Sequence, residues 1–149
     1  MTNQKTKLPQ MHFQNCALPI SPEFYKVIRQ QVHLANILPE ADSVTINFRD
    51  TNYTAETGGF HPVEISMLKG NQGKWCISYI TDFAYYGLGY SELERDIDFD
   101  LGNNMAFAFG IGWQNINSSG FVELYQAWED NFLAYIKMEA FDEIKVSVN

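Results

Sequence analysis

The residues best suited to chemistry are concentrated in one stretch, which reads Asn47-Phe48-Arg49-Asp50-Thr51-Asn52-Tyr53-Thr54-Ala55-Glu56-Thr57-Gly58-Gly59-Phe60-His61-Pro62-Val63-Glu64-Ile65. Arginine offers a planar fork of donors to a carboxylate or phosphate. Histidine titrates near neutrality. Arg49 and His61 are therefore recognition candidates for a small anionic ligand. Asp50, Tyr53, Glu56 and Glu64 from the same stretch, with Asp82 and Tyr85 further on, complete the candidate set. In an alternative, hydrolase-like reading, His61 is a general base, Glu64 or Asp82 orients it and Arg49 holds an anionic substrate. A structural reading uses the same residues: Arg49 bridges Glu64 and Asp82 across strands, Asp50 and Glu56 accept from loop amides, and Gly58-Gly59 supply positive φ. No catalytic residue is assigned.

Other motifs are weaker. Asp96, Asp98 and Asp100 alternate as hard-cation ligands would, but the spacing to Gly102 and Phe107 fails the calcium-loop pattern. A charged strand face near a sheet edge accounts for them better, and they stay weak metal candidates. No cofactor motif is present. Gly110-Ile111-Gly112 lies on a strand pattern with no helix start after it, which suits packing rather than a phosphate cradle. Tyr85, Tyr86, Leu88 and Tyr90, punctuated by Gly87 and Gly89, form an aromatic loop suited to capping a ligand or contacting a partner, or to folding over its own core.

The elements that must position these residues follow from hydrophobic spacing. Ser21-Pro22 gives a helix N-cap and first helical residue, and Phe24, Val27, Ile28 and Gln31 mark one face of that first helix. Val44, Ile46 and Phe48 alternate with polar neighbours, as a half-buried strand does. Val63, Ile65 and Met67, then Trp75, Ile77 and Tyr79, predict a hairpin around Asn71-Gln72-Gly73. With Gly73 left-handed in a three-residue loop, Met67 faces Ile77, Ile65 faces Tyr79, Glu64 faces Ile80 and Pro62 faces Asp82. Glu64 and Asp82 are then diagonal neighbours on the polar face, joined by Arg49 if the first strand pairs beside the second.

Ile97 and Phe99 mark a further strand, and Met105 to Trp113 read as one more, with large residues on one side and small ones on the other. A long helix from about Ser118 presents Phe121, Leu124, Tyr125, Trp128, Phe132 and Tyr135. Ile144, Val146 and Val148 close with a last strand. The expected fold is α+β: a mainly antiparallel sheet of five to six strands with two helices packed on one face, in the order α-β-β-β-β-β-α-β. Residues 1–17 read as an N-terminal arm, docked through Leu8, Met11 and Phe13, and residues 18–149 as a single domain.

Several of these segments carry a resemblance. Asn47-Phe48-Arg49-Asp50, Gly58-Gly59-Phe60-His61-Pro62-Val63-Glu64-Ile65, Tyr79-Ile80-Thr81-Asp82-Phe83, Asp96-Ile97-Asp98-Phe99-Asp100 and the Trp128–Tyr135 helix together resemble an uncharacterised bacterial family, the domain of unknown function numbered 2787. The likeness runs from about Leu18 to the C-terminus. It implies a small single-domain bacterial protein, with no established activity, substrate or cofactor.

Composition sets the outer limits. The chain has 149 residues, 46% hydrophobic and 15% aromatic, which is enough for a buried core in one domain. Its formal charge of −8 leaves little counterion release to drive nucleic-acid binding, and it disfavours membrane surfaces. Charged residues make up only 19%, which weakens a third reading as an acidic decoy for a basic protein. The two cysteines, Cys16 and Cys76, have no metal or redox spacing. No apolar run reaches membrane-spanning length. The expectation is a cytoplasmic protein, a non-enzymatic binding or protein-interaction module, with an unknown protein or small anionic ligand as partner. A homodimer is a further expectation.

Overall fold

Helix α1 (Pro22–Leu34) begins where the sequence predicts, with Ser21 Oγ accepting from Phe24 N at 3.2 Å. Its buried face is Phe24, Val27 and Ile28. This cap is tied to the second helix, α2 (Phe121–Lys137): buried Glu129 accepts from Ser21 N at 2.9 Å and from the Tyr125 hydroxyl at 2.8 Å. A carboxylate at the start of α1 also suits the positive end of that helix's dipole. The computed structural model that shows this describes residues 11–37, 40–86 and 92–148.

The strands are β1 (Ser43–Arg49), β2 (Val63–Lys69), β3 (Trp75–Tyr85), β4 (Leu93–Asp100), β5 (Met105–Ala108), β6 (Gly112–Asn115) and β7 (Glu143–Val148). They form one seven-stranded sheet in the order β6-β5-β4-β3-β2-β1-β7, antiparallel at every pairing. The α+β class with two helices holds, but there are seven strands rather than five or six. The stretch expected as one strand from Met105 to Trp113 is a hairpin, because Gly110 (φ 85°) and Gly112 (φ 86°) take left-handed conformations that turn the chain back. Phe107 then faces Trp113 across the pair. On the other side, small Ala106 is fully buried in the core. Helix α2 begins at Phe121 rather than at Ser118. Gly120, at φ 94°, precedes the helix and Ser118 contributes only its carbonyl to Phe121 N.

The core lies between sheet and helices. Phe48 and Phe99 on the sheet meet Phe132 and Tyr125 of α2 edge to face, at 5.1 and 5.2 Å between ring centroids. Each such side chain is fully buried and contributes about 1.5–3 kcal/mol through removal from water. The arm joins this body: Met11 is buried, Phe13 stacks on Tyr25 and bridges in parallel to Trp75, and Arg29 Nε donates to Met11 O. Leu8 lies outside the described residues. The opposite sheet face carries Thr45, Asn47, Arg49, Glu64 and Ser66, as their alternation predicts.

Candidate functional site

Two β-bulges decide which polar side chains meet. Met67 faces Ile77 and Gly73 is left-handed (φ 72°), both as expected, but Ser66 faces Tyr79. Ser78 is thus an extra residue in β3, and from there Ile65 faces Ile80, Glu64 faces Thr81 and Val63 faces Asp82. A slip of one residue turns every later side chain to the other face. Asp82 goes inward beneath α2, while Glu64 stays on the outer face and accepts from the Tyr79 hydroxyl at 2.6 Å. The expected diagonal pair of Glu64 and Asp82 is therefore not formed. In the second bulge Asp82 faces Ile97 while Phe83 faces Arg95, leaving Asp96 as the extra residue of β4.

These shifts gather a different set of residues. His61 Nδ1 lies 2.8 Å from Asp82 Oδ1 and 3.5 Å from Asp96 Oδ2. His61 itself is fixed by Pro62, whose carbonyl accepts from Phe83 N at 2.9 Å. Each carboxylate is held from behind: Trp128 Nε1 donates to Asp82 Oδ2 at 3.0 Å, and the Tyr86 hydroxyl donates to Asp96 Oδ1. Tyr53 stacks on the imidazole (5.5 Å between centroids, 18°), and Tyr85 packs edge-on against Tyr53 while its N–H donates to the Tyr53 hydroxyl. Tyr86 in turn stacks on Phe109 of the β5–β6 turn. The histidine side chain is 39% exposed, Asp96 23% and Asp82 12%, so the cluster opens to solvent on the His61 side.

The electrostatics follow from this packing. The hydrogen bond to Asp82 raises the His61 pKa above its ordinary value, partial burial opposes the rise, and the charges of Asp82 and Asp96 add to it. Burial, reinforced by Asp96, pushes the Tyr86 hydroxyl up, so it remains a donor. The ligating atoms of His61, Asp82 and Asp96 lie within 4.8 Å of one another, a spacing that can hold a metal ion.

The remaining candidates serve other ends. Arg49 is exposed at the end of β1, on the face turned away from the cluster, and among the described residues it pairs with neither Glu64 nor Asp82. Asp50 builds the loop, accepting from Asn52 N and Phe60 N. Glu56 is exposed, and among the described residues it accepts from none of the loop amides expected of it. Gly58 and Gly59 do not take positive φ. Gly59 is required for space instead, since a Cβ there would lie 2.7 Å from Tyr53 Cβ and 2.8 Å from Asp50 Oδ2. The aspartates of β4 diverge. Asp98 accepts from Thr81 Oγ1 and Arg95 Nε on the outer face, with burial raising its pKa, and Asp100 caps the turn at Asn103. Of the aromatic loop, Gly87, Leu88, Gly89 and Tyr90 lie outside the described residues. Trp128 and Tyr86 read in sequence as core and loop aromatics, and no sequence signal marks them as donors to Asp82 and Asp96.

An antiparallel seven-stranded sheet with two helices on one face and a His–Asp–Asp cluster at its bulged centre defines the class of protein. The chain belongs to the family described as Protein of unknown function (DUF2787), whose model matches residues 22–147. It is similar to the solved structure of the hypothetical protein VC0508 from the Vibrio cholerae VSP-II pathogenicity island. That match has 39% identity and a TM-score of 0.87, covering 93% of this chain and 99% of that one. It is also similar to the conserved hypothetical protein VC1805 from pathogenicity island VPI-2 of Vibrio cholerae O1, with 45% identity and a TM-score of 0.79, covering 91% and 99%. VC1805 is described as sharing structural homology with the human P32 protein. No curated protein matches the chain. Among the described residues, no helix is long and apolar enough to cross a membrane.

Proposed function

We propose that the protein is a small non-enzymatic binding module whose recognition site is the rim of His61, Asp82 and Asp96, walled by Tyr53, Tyr85 and Tyr86. The observation that carries this reading is the convergence of two carboxylates on one half-exposed imidazole, 2.8 and 3.5 Å away. Even with His61 protonated, the trio keeps one net negative charge, and Arg49 is turned elsewhere. The rim therefore favours a cation over the small anionic ligand that Arg49 and His61 suggest in sequence. The test is thermal shift of the full chain across organic amines, guanidinium compounds, metal ions and small anions. At least one cation should stabilise the wild type and fail to stabilise Asp96→Asn. Stabilisation only by anions, or stabilisation by cations that ignores this substitution, would refute the reading.

A second reading rests on the 2.8 Å contact by which Asp82 orients His61. Such a pair suits a general base, acting on water: among the described residues no Ser, Thr or Cys side chain hydrogen-bonds to His61. Turnover of an ester and phosphoester panel that disappears in His61→Phe would favour it. Equal rates in both proteins would remove it.

A further inference from the structure

We infer that His61 Nδ1, Asp82 Oδ1 and Asp96 Oδ2 are the ligands of a divalent transition-metal ion, Zn²⁺ or Mn²⁺, with its remaining positions open to solvent. The inference rests on the reading of the rim as a cation site and names the cation.

Metal–ligand bonds of about 2.1 Å place ligand atoms about 3.0 Å apart in octahedral and about 3.4 Å apart in tetrahedral geometry. The His61 contacts to Asp82 and Asp96, 2.8 and 3.5 Å, bracket those separations. Each of the three residues offers one ligand atom within 4.8 Å of those of the other two. Donor type narrows the ion: one imidazole nitrogen with two carboxylates suits Zn²⁺ or Mn²⁺, whereas Ca²⁺ asks for six to eight oxygens.

The surroundings match what a metal site needs. A ligating carboxylate is oriented by a donor on its far oxygen. Here Trp128 Nε1 holds Asp82 Oδ2 and the Tyr86 hydroxyl holds Asp96 Oδ1, leaving the nearer oxygen of each acid turned to His61. Charge points the same way. Two carboxylates crowd one partly buried imidazole, and a dication bound to the neutral ring would cancel both negative charges. Asp82 is paired within the sheet, Pro62 O beside His61 accepts from Phe83 N, and Asp96 O in the β4 bulge accepts from Phe109 N, so the backbone that carries the ligands is in place before the ion arrives. The exposed side of His61 gives the ion a path in.

The test is isothermal titration calorimetry of the metal-stripped full chain with ZnCl₂ and with MnCl₂, against CaCl₂ as control. One ion per chain is expected for Zn²⁺ or Mn²⁺. Affinity should fall by about tenfold or more in both Asp96→Asn and His61→Gln, with folding checked by circular dichroism. Cys16 and Cys76 are the competing zinc ligands, so Cys16→Ser/Cys76→Ser should bind as the wild type does. Cobalt substitution supplies a readout needing no variant: d–d bands without a thiolate charge-transfer band are expected. Absence of binding, binding indifferent to Asp96 and His61, or binding lost with the cysteines would each overturn the assignment. If metals fail while an organic cation still stabilises the wild type and not Asp96→Asn, the metal inference falls and the cation rim stands. If neither binds, both fall.

Discussion

Replacing Trp128 by phenylalanine removes one hydrogen atom that matters, the indole N–H directed at Asp82 Oδ2 from 3.0 Å. Trp128 and Asp82 are both buried, so water has little access to replace the lost donor. A hydrogen bond to a charged group is worth about 1.5–3 kcal/mol, and a loosely volume-conserving aromatic exchange costs up to about 1.5 kcal/mol more. Trp128→Phe should therefore lose about 1.5–4.5 kcal/mol, a large share of the ~5–15 kcal/mol that holds a domain together. The loss should also couple to His61, the other donor to the same carboxylate. In His61→Phe the ring stack on Tyr53 can persist while the donor goes. With both donors removed, Asp82 keeps no side-chain hydrogen-bond donor among the described residues, so the double variant should lose more than the sum of the singles by about 0.5–3 kcal/mol. Urea unfolding of the four proteins at pH 6, with m-values compared, measures this cycle. A Trp128→Phe loss below about 1 kcal/mol, or additivity within about 0.3 kcal/mol, would refute the shared-carboxylate geometry.

Other outcomes follow from the same contacts. Because His61 is held above its ordinary pKa, its protonated form stabilises the fold below about pH 6.5 and that contribution is lost as pH rises through the folded pKa; the stability gap between wild type and His61→Phe should be widest at about pH 5–6 and narrow by about pH 8, and a gap flat or growing over this range would contradict it. Gly59→Ala should cost about 1–3 kcal/mol by driving a Cβ into Tyr53 and Asp50, whereas Gly58→Ala, with open space around it, should melt close to the wild type; equal melting of the two variants would be the contrary result. Glu129→Met should cost about 1–3 kcal/mol, since it removes the one oxygen that accepts from both Ser21 N and the Tyr125 hydroxyl and leaves both donors unpaired, and an unchanged denaturation midpoint would be the contrary result.

Much of the fold is legible in the residues themselves. Ser21-Pro22, the alternation in β1 and β2, and the aromatic face of α2 each show local chemistry agreeing with packing. The β5–β6 hairpin is hidden because Phe107, Phe109, Ile111 and Trp113 keep strand alternation across a turn made by two glycines. The candidate site is legible only in part. His61 and Asp82 stand out by type, and the hairpin register is correct as far as Met67 and Ile77. Beyond that point, bulges at Ser78 and Asp96 change which face each residue occupies. The first bulge shifts the inward phase of β3 from Ile77 to Ile80, but Tyr79 extends the earlier alternation and masks the break, so Glu64 and Arg49 look like partners of Asp82 while Asp96 looks like one of three outward acids.

The imidazole of His61 is held between two carboxylates. Titrating the His61 ring by ¹⁵N-edited NMR in the wild type, Asp82→Asn and Asp96→Asn measures this directly. The predicted result is a wild-type pKa above the ordinary value of about 6.5, falling in both variants and further in Asp82→Asn. A wild-type ring titrating at its ordinary value and unmoved by either substitution would contradict it.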